Sequence, residues 1–134
     1  MRNIKFRAWL KNEKVMGEVT RFTFSKSQYP FVNVRFKRNG KTIDDGFYFE
    51  QEDGYDNVIL MQFTGYHDKN GEEIYEGDII RDNNSNNVYY LGFVRGCITL
   101  FIYNNTEWRE WVPVCKIEEQ VYRENFEVVG NIYE

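Results

Sequence analysis

Short runs of alternating apolar and polar residues, each closed by a turn sequence, constrain the fold of this chain more than any other feature. Val32, Val34 and Phe36 alternate with polar residues and lead almost directly into Asn39-Gly40. Such alternation is typical of a strand with one buried face, and Asn-Gly tolerates the positive φ angles that a two-residue hairpin turn requires. The pattern therefore predicts antiparallel strands joined by tight turns.

The composition also favours strands over helices. Alanine occurs once and leucine four times, whereas aromatic residues make up 18% of the chain. Alanine and leucine are strong helix formers, while β-branched and aromatic side chains fit the half-buried surface of a sheet. Only Ile117, Val121 and Tyr122 suggest a helix, within residues 116–124. We therefore predict a mainly β fold: a small twisted or barrel-like antiparallel sheet in the C-terminal half, additional N-terminal strands and at most one short helix.

The length of 134 residues predicts a single domain over residues 1–134, large enough to bury a core without disulfides. A polar stretch at 50–57 allows a subdivision into N-terminal strands at 1–57 and a barrel-like core at 58–134.

Asp45-Gly46 predicts a further turn. Trp108 and Trp111 are three residues apart on a predicted strand and should face opposite sides. The predicted core residues are Trp9, Phe22, Phe36, Phe63, Ile74, Ile79, Phe93, Phe101 and Ile132.

Charge is distributed unevenly along the chain. Residues 1–41 hold eleven of the seventeen basic residues and two of the 21 acidic ones, a net charge of about +9, and the remainder carries about -13. Three interpretations stay open: the two regions neutralise each other within one molecule, they attract between copies of the chain, or the basic region binds nucleic acid. The candidate nucleic-acid or partner contacts are Arg2, Lys5, Arg7, Arg35, Lys37, Arg38 and Lys41.

The sequence contains no recognisable catalytic or metal-binding pattern. The single histidine, His67, lies in a predicted turn without an obvious nucleophile, and Cys97 and Cys115 are too few for a zinc site. Cys97 lies among apolar strand residues and is expected to be a buried free thiol. We therefore predict no enzymatic activity, no metal and no cofactor. Apolar runs are too short for a signal peptide or a membrane helix, which predicts a cytoplasmic protein without membrane contact.

Three segments resemble the YopX family of phage and prophage proteins. The opening Ile4-Lys5-Phe6-Arg7-Ala8-Trp9, the central stretch at 60–80 and the ending at 126–134 follow the family pattern in order. The resemblance implies a protein of a bacterial cytoplasm with no established activity. It also implies that the motif forms structural turns rather than a catalytic centre. The turn-forming motif residues are Gly65, Asp68, Gly71, Gly77, Asp78 and Gly130.

Two classes of function follow from these observations. The first is a non-enzymatic, prophage-encoded accessory protein that binds an unknown phage or host protein or associates with itself as a homo-oligomer. The alternative is a nucleic-acid-binding module that uses the basic N-terminal region. The sequence pI of about 5.1 counts against this alternative, because most of the molecule would repel phosphate.

Overall fold

The structure is a computed structural model that describes residues 4–25, 28–48 and 58–134. These residues form antiparallel strands, a 3-10 turn at Val114–Lys116 and one helix, α1 (Glu119–Asn125). This confirms a mainly β fold with one short α-helix among the described residues. The strands are β1 (Phe6–Leu10), β2 (Val15–Ser25), β3 (Gln28–Arg38), β4 (Lys41–Tyr48), β5 (Val58–His67), β6 (Glu73–Tyr75), β7 (Asp78–Asp82), β8 (Val88–Val94), β9 (Cys97–Tyr103), β10 (Trp108–Pro113) and β11 (Phe126–Asn131).

The chain divides into two compact units, Lys5–Met61 and a unit that contains Gln62–Glu134. In the first unit the strands follow the order β4-β3-β2-β1, and β1 is followed in the sheet by β5. Alternating residues of β3 point into the core of this unit, as predicted. Asn39 and Gly40 have φ angles of 51° and 80°, which confirms the predicted hairpin turn between β3 and β4. The core residues are Ala8, Leu10, Val32, Val34, Phe36 and Val58.

The second unit contains a five-stranded antiparallel sheet in the order β10-β9-β8-β7-β11. Next to it in sequence, the end of β5 pairs with the short strand β6. The five-stranded sheet is open, with β10 and β11 at its edges, so the barrel-like alternative is not what forms. Helix α1 contributes Tyr122 to the core of this unit, which also contains Ile74, Ile80, Tyr89, Leu91, Ile98, Leu100, Val114 and Phe126.

The predicted turn at Asp45-Gly46 is wrong, because both residues lie inside β4. Gly46 pairs with Asn33 on β3, and a Cβ atom at this position would lie 2.1 Å from the ring of Phe31. Glycine is therefore needed here for the close approach of an aromatic ring. The sequence motif that usually marks a turn marks a packing contact instead.

The core prediction is right for Phe36, Phe63 and Ile74, which are buried. It is wrong for Phe93 and Ile132, which are 57% and 40% exposed. Phe93 lies at the end of β8, just before the Arg95-Gly96 turn, and Ile132 follows the last strand, so both extend past the edge of the core. The remaining predicted core residues are partly exposed: Trp9, Phe22, Ile79 and Phe101.

None of the described helical segments has the length and hydropathy that crossing a lipid bilayer would require. The longest of them is α1, with seven residues.

Candidate functional site

The predicted basic contact residues lie on or directly before the N-terminal strands, except for Arg2, which is outside the described residues. Lys5 precedes β1, and Arg7 lies within it. The other four belong to the hairpin of β3 and β4: Arg35, Lys37, Arg38 and Lys41. Because β4, β3, β2 and β1 are neighbours in one sheet, the fold does bring most of these residues into the same sheet.

A row of alternating charges crosses this sheet. Arg7 on β1 stands opposite Glu18 on β2, and Glu18 stands opposite Arg35 on β3. Arg35 in turn stands opposite Asp44 on β4, and its Nε donates a hydrogen bond to the Asp44 Oδ1 at 2.9 Å. Opposite charges that face each other across a ladder attract. Acidic residues of the same sheet are thus placed beside two of the predicted basic contacts.

The end of the same hairpin shows a second pairing. The Arg38 guanidinium donates two hydrogen bonds to the Glu13 carboxylate, one of them from Nε at 3.2 Å. This hydrogen bonding lowers the pKa of Glu13 and raises the pKa of Arg38. The Lys37 Nζ donates to the Thr42 Oγ1 at 2.7 Å. Arg35 and Arg38 are therefore paired with acidic residues of their own unit, and Lys37 is hydrogen-bonded within it.

Asp68 is the central residue of the family-like motif. Its side chain is buried, and its Oδ1 accepts hydrogen bonds from the backbone N–H groups of Asn70 at 2.9 Å and Glu72 at 2.8 Å. Its Oδ2 accepts a third from the N–H of Val128 on β11, at 2.9 Å. The carboxylate thus holds a tight turn and joins that turn to a strand sixty residues further along the chain.

Glu76 and Gly77 form a second turn in the motif, and Asp78 follows it as the first residue of β7. The Asp78 Oδ2 accepts a hydrogen bond from the N–H of Tyr75 at 2.7 Å. Gly77 has a φ of 89°, which confirms the positive value expected for a glycine in a turn. Its N–H donates to the carbonyl of Leu91 at 2.6 Å, and its own carbonyl accepts from the N–H of Ile132. These contacts show a structural use for Gly77 and Asp78.

The other motif glycines differ in their roles. Gly71 has a φ of 80° in the turn that Asp68 closes. Gly65 has a φ of 90° and lies within β5, where the pairing with β6 shifts its register. Gly130 lies in β11 beside a β-bulge, without a positive φ, so it is a strand residue rather than a turn residue.

Glu76 precedes Gly77 in the second turn and is the motif carboxylate with a perturbed pKa. Its side chain is half-buried, and this desolvation raises its pKa above the usual value of 4.5. The same charge contributes to raising the pKa of Tyr133, although burial is the larger cause there. A raised pKa means that the folded state binds a proton more tightly than the unfolded chain. Glu76 therefore contributes its full stabilisation of the fold below its unfolded pKa. This contribution is lost as the pH rises through its folded pKa.

We expect Glu76→Gln to raise the free energy of unfolding at pH 7 and to flatten its decline between pH 4 and pH 7, because glutamine cannot ionise. Urea unfolding at the two pH values measures both effects. Glu72→Gln is the matched control, since Glu72 is an exposed carboxylate of the same motif. Equal shifts in the two variants would contradict the assigned cause.

A shallow cavity of about 370 Å³ lies beside the first motif turn. His67, Asp68, Lys69, Gly71 and Arg123 line it. The two cations have acidic neighbours, since Arg123 bonds to Glu119 and the Lys69 Nζ lies 3.9 Å from Glu127. His67 is the end of β5 rather than a turn residue, and its buried Nδ1 has no hydrogen-bond partner. The oxygens of Asp68 already accept from backbone amides, so this cavity brings together no reactive pair.

A second cavity, of about 310 Å³, has an apolar floor; we call it the β8–β9 groove. The side chains of Ile98 and Val114 belong to the core of the unit, and Phe93 stands beside them with 57% of its surface exposed. The expectation of a buried Cys97 is wrong, because Cys97 and Cys115 are both exposed and free. The lining residues of the groove are Gln62, Phe93, Gly96, Cys97, Ile98, Val114 and Cys115.

The groove was not predicted from the sequence because phenylalanine and cysteine, the residue types at positions 93 and 97, are usually buried. The Arg95-Gly96 pair could have corrected this. Residues that flank a two-residue turn lie at the end of a sheet, where the next layer of the core is missing. Arg95 and Gly96 have φ angles of 49° and 79°, as such a turn requires.

The two tryptophans of β10 lie on opposite sides of the sheet, as predicted. Trp108 packs edge-on against Tyr90 with ring centroids 5.0 Å apart, whereas Trp111 stacks on the adjacent Tyr89 at 5.0 Å. Trp111 lies at the register shift between β10 and β9 and remains 46% exposed. Together with Phe93, it adds to the aromatic surface of the second unit.

Among the described residues, no three His, Cys, Asp or Glu side chains are grouped so that they could hold a metal ion. In that part of the chain, the single histidine is edge-on to Phe63, with ring centroids 5.6 Å apart.

Comparison with known proteins identifies one family. The family model described as YopX protein matches residues 5–134. Among curated protein sequences no match is found. Among solved structures, protein EF1440 from Enterococcus faecalis is 24% identical, with a TM-score of 0.57 and coverage of 100% of this chain and 96% of that chain. Protein YopX from Bacillus subtilis is 15% identical, with a TM-score of 0.51 and coverage of 99% and 94%. At these identities the two structures show a shared fold.

Proposed function

The chain belongs to the YopX family, and from this premise we propose that it is a prophage-encoded accessory protein that works in the bacterial cytoplasm by binding another protein, without catalysing a reaction. The binding surface in this proposal is the β8–β9 groove. Its occupant is an apolar side chain of the partner protein.

The exposed Phe93 beside the groove is the observation that carries the proposal. Phe93 leaves 57% of its surface exposed to water next to a concave apolar floor, so most of this aromatic side chain is not buried in the isolated molecule. Buried aromatic anchors in pockets supply much of the affinity of protein interfaces. A partner that covered Phe93 and filled the space above Ile98 and Val114 would remove that apolar surface from water.

The charges support a protein partner over nucleic acid. In the N-terminal sheet, Arg35 and Arg38 bond to Asp44 and Glu13, and such pairing reduces the positive charge that phosphate would meet. The unit that carries the groove spans Gln62–Glu134, which has thirteen acidic and six basic residues. A surface of this sign attracts a basic partner and repels a phosphate backbone.

Affinity capture with three forms of the protein tests the proposal. Wild type, Phe93→Ser and Tyr103→Ser are immobilised and exposed to a lysate of prophage-bearing bacteria, with and without nuclease. Tyr103 is the matched control, because it is an exposed aromatic residue of the same sheet that does not line the groove. We expect wild type and Tyr103→Ser to retain the same protein after nuclease treatment and Phe93→Ser to lose at least tenfold in affinity for it.

Each contrary outcome identifies a different function. Capture that disappears with nuclease would favour the nucleic-acid-binding alternative. Equal capture by all three forms would place the partner elsewhere on the surface. Light scattering of the purified protein adds the case of a homo-oligomer: a dimer that Phe93→Ser dissociates would make a second copy of the chain the occupant of the groove.

A further inference from the structure

The β8–β9 groove contains two free thiol groups. Cys97 and Cys115 are the two cysteines of the chain, they are 18 residues apart in sequence, and both are exposed residues that line this one cavity. Thiols that share a concave surface can react with each other, whereas an isolated exposed cysteine can react only with outside molecules.

The strand register explains how they come together. In the pairing of β9 with β10, Thr99 stands opposite Pro113. Cys97 is the first residue of β9, two residues before Thr99, and Cys115 lies two residues after Pro113, in the 3-10 turn that follows β10. Their neighbours Ile98 and Val114 belong to the same core cluster, which keeps the start of β9 beside the 3-10 turn after β10 ends.

We propose that Cys97 and Cys115 form a reactive dithiol that a low-molecular-weight disulfide, such as glutathione disulfide, converts into an intramolecular disulfide. The thiolate of one cysteine attacks a sulfur of the small disulfide, forms a mixed disulfide and releases one small thiol. The thiolate of the second cysteine then attacks the protein sulfur of that mixed disulfide and releases the second small thiol. The protein loses two protons and two electrons, which together are two hydrogen atoms, and the small disulfide gains both as it is reduced to two thiols.

The site of this bond gives the reaction a consequence that rests on the proposed function. The new disulfide would join the start of β9 to the 3-10 turn within the lining of the groove. It would occupy space that the partner's side chain needs. Reduction by a small thiol would reopen the groove, so the redox state of the cytoplasm would set the fraction of protein able to bind.

The test is mass spectrometry of the native full-length protein after incubation with glutathione disulfide, and it needs no partner. We expect wild type to lose the mass of two hydrogen atoms and to yield a peptide that links Cys97 to Cys115. Cys97→Ser and Cys115→Ser should each gain the mass of one glutathione moiety instead, because their mixed disulfide has no second thiol to resolve it. Prior labelling with iodoacetamide should modify both thiols of wild type and prevent the mass loss.

Wild type that gains two glutathione moieties, forms disulfide-linked dimers or stays unmodified while its thiols remain open to iodoacetamide would overturn the proposal. The consequence for binding is measured separately, by capture with the reduced and the oxidised protein. An intramolecular disulfide that forms without changing capture would leave the dithiol in place and refute only its connection to the groove.

Discussion

Replacing Asp68 with alanine should lower the free energy of unfolding by about 3 kcal/mol, because three backbone N–H groups lose a charged acceptor. Two of these amides, from Asn70 and Glu72, lie in a turn where water can replace part of the lost bond. The third amide, that of Val128, lies in the sheet, and the loss of its bond also removes the connection between the turn and β11. Urea unfolding followed by tryptophan fluorescence measures the change.

Asp82→Ala is the matched control for this experiment. The Asp82 Oδ1 also accepts a hydrogen bond from a turn amide, that of Asn84 at 2.9 Å, but this bond is exposed. Its loss should cost about 0.5–1 kcal/mol. If Asp68→Ala costs no more than Asp82→Ala, the long-range bond to Val128 does not contribute to stability.

Asp68 also shows how far the sequence predicts this structure. The turn itself follows from local chemistry, because Asp bonds to the amides that follow it and Gly71 adopts a positive φ. The bond to Val128 does not, since it depends on a strand pairing that brings distant residues together. The sequence therefore predicts the turn, whereas the bond that joins this turn to β11 is known only from the structure.

The register of the β3–β4 hairpin determines which ion pairs of the N-terminal sheet could be predicted from the sequence. A two-residue turn at Asn39-Gly40 fixes the pairing of the flanking strands. Arg35 opposite Asp44 could therefore be predicted from that turn alone. The bond between Arg38 and Glu13 could not, because Glu13 reaches the hairpin through the loop between β1 and β2. The positive charge of residues 1–41 is thus partly balanced by acidic residues that lie next to it in the fold.

Exposure at the ends of strands was the main source of error in the core prediction. Alternation tells which face of a strand is buried but not how far along the strand the neighbouring layer extends. Phe93 has the parity of a core residue, since it pairs with Ile98, yet it lies past the last packed layer. The groove proposed here for binding is formed at that position, where a simple alternating pattern no longer predicts burial.

Tyr122→Ala should lower the free energy of unfolding by about 3–5 kcal/mol, the usual range for removing a large buried aromatic side chain. Tyr122 is fully buried on α1, stacks on Tyr66 with ring centroids 4.6 Å apart and meets Phe126 edge-on at 5.0 Å. Its hydroxyl donates to the carbonyl of Val114 at 2.8 Å. The substitution therefore removes the contact that holds the helix to the sheet together with the bond to the 3-10 turn.

Tyr122→Phe separates these two contributions, because it keeps the ring and removes only the hydroxyl. It should cost about 1 kcal/mol, the net value of one hydrogen bond with a neutral acceptor. Burial also raises the pKa of Tyr122, so in wild type the stability from this group is complete below the unfolded value of about 10 and declines as the pH rises above it. The phenylalanine variant should lack that part of the alkaline decline. Equal losses for the alanine and phenylalanine variants at pH 7 would mean that the hydroxyl bond, rather than the packed ring, anchors the helix.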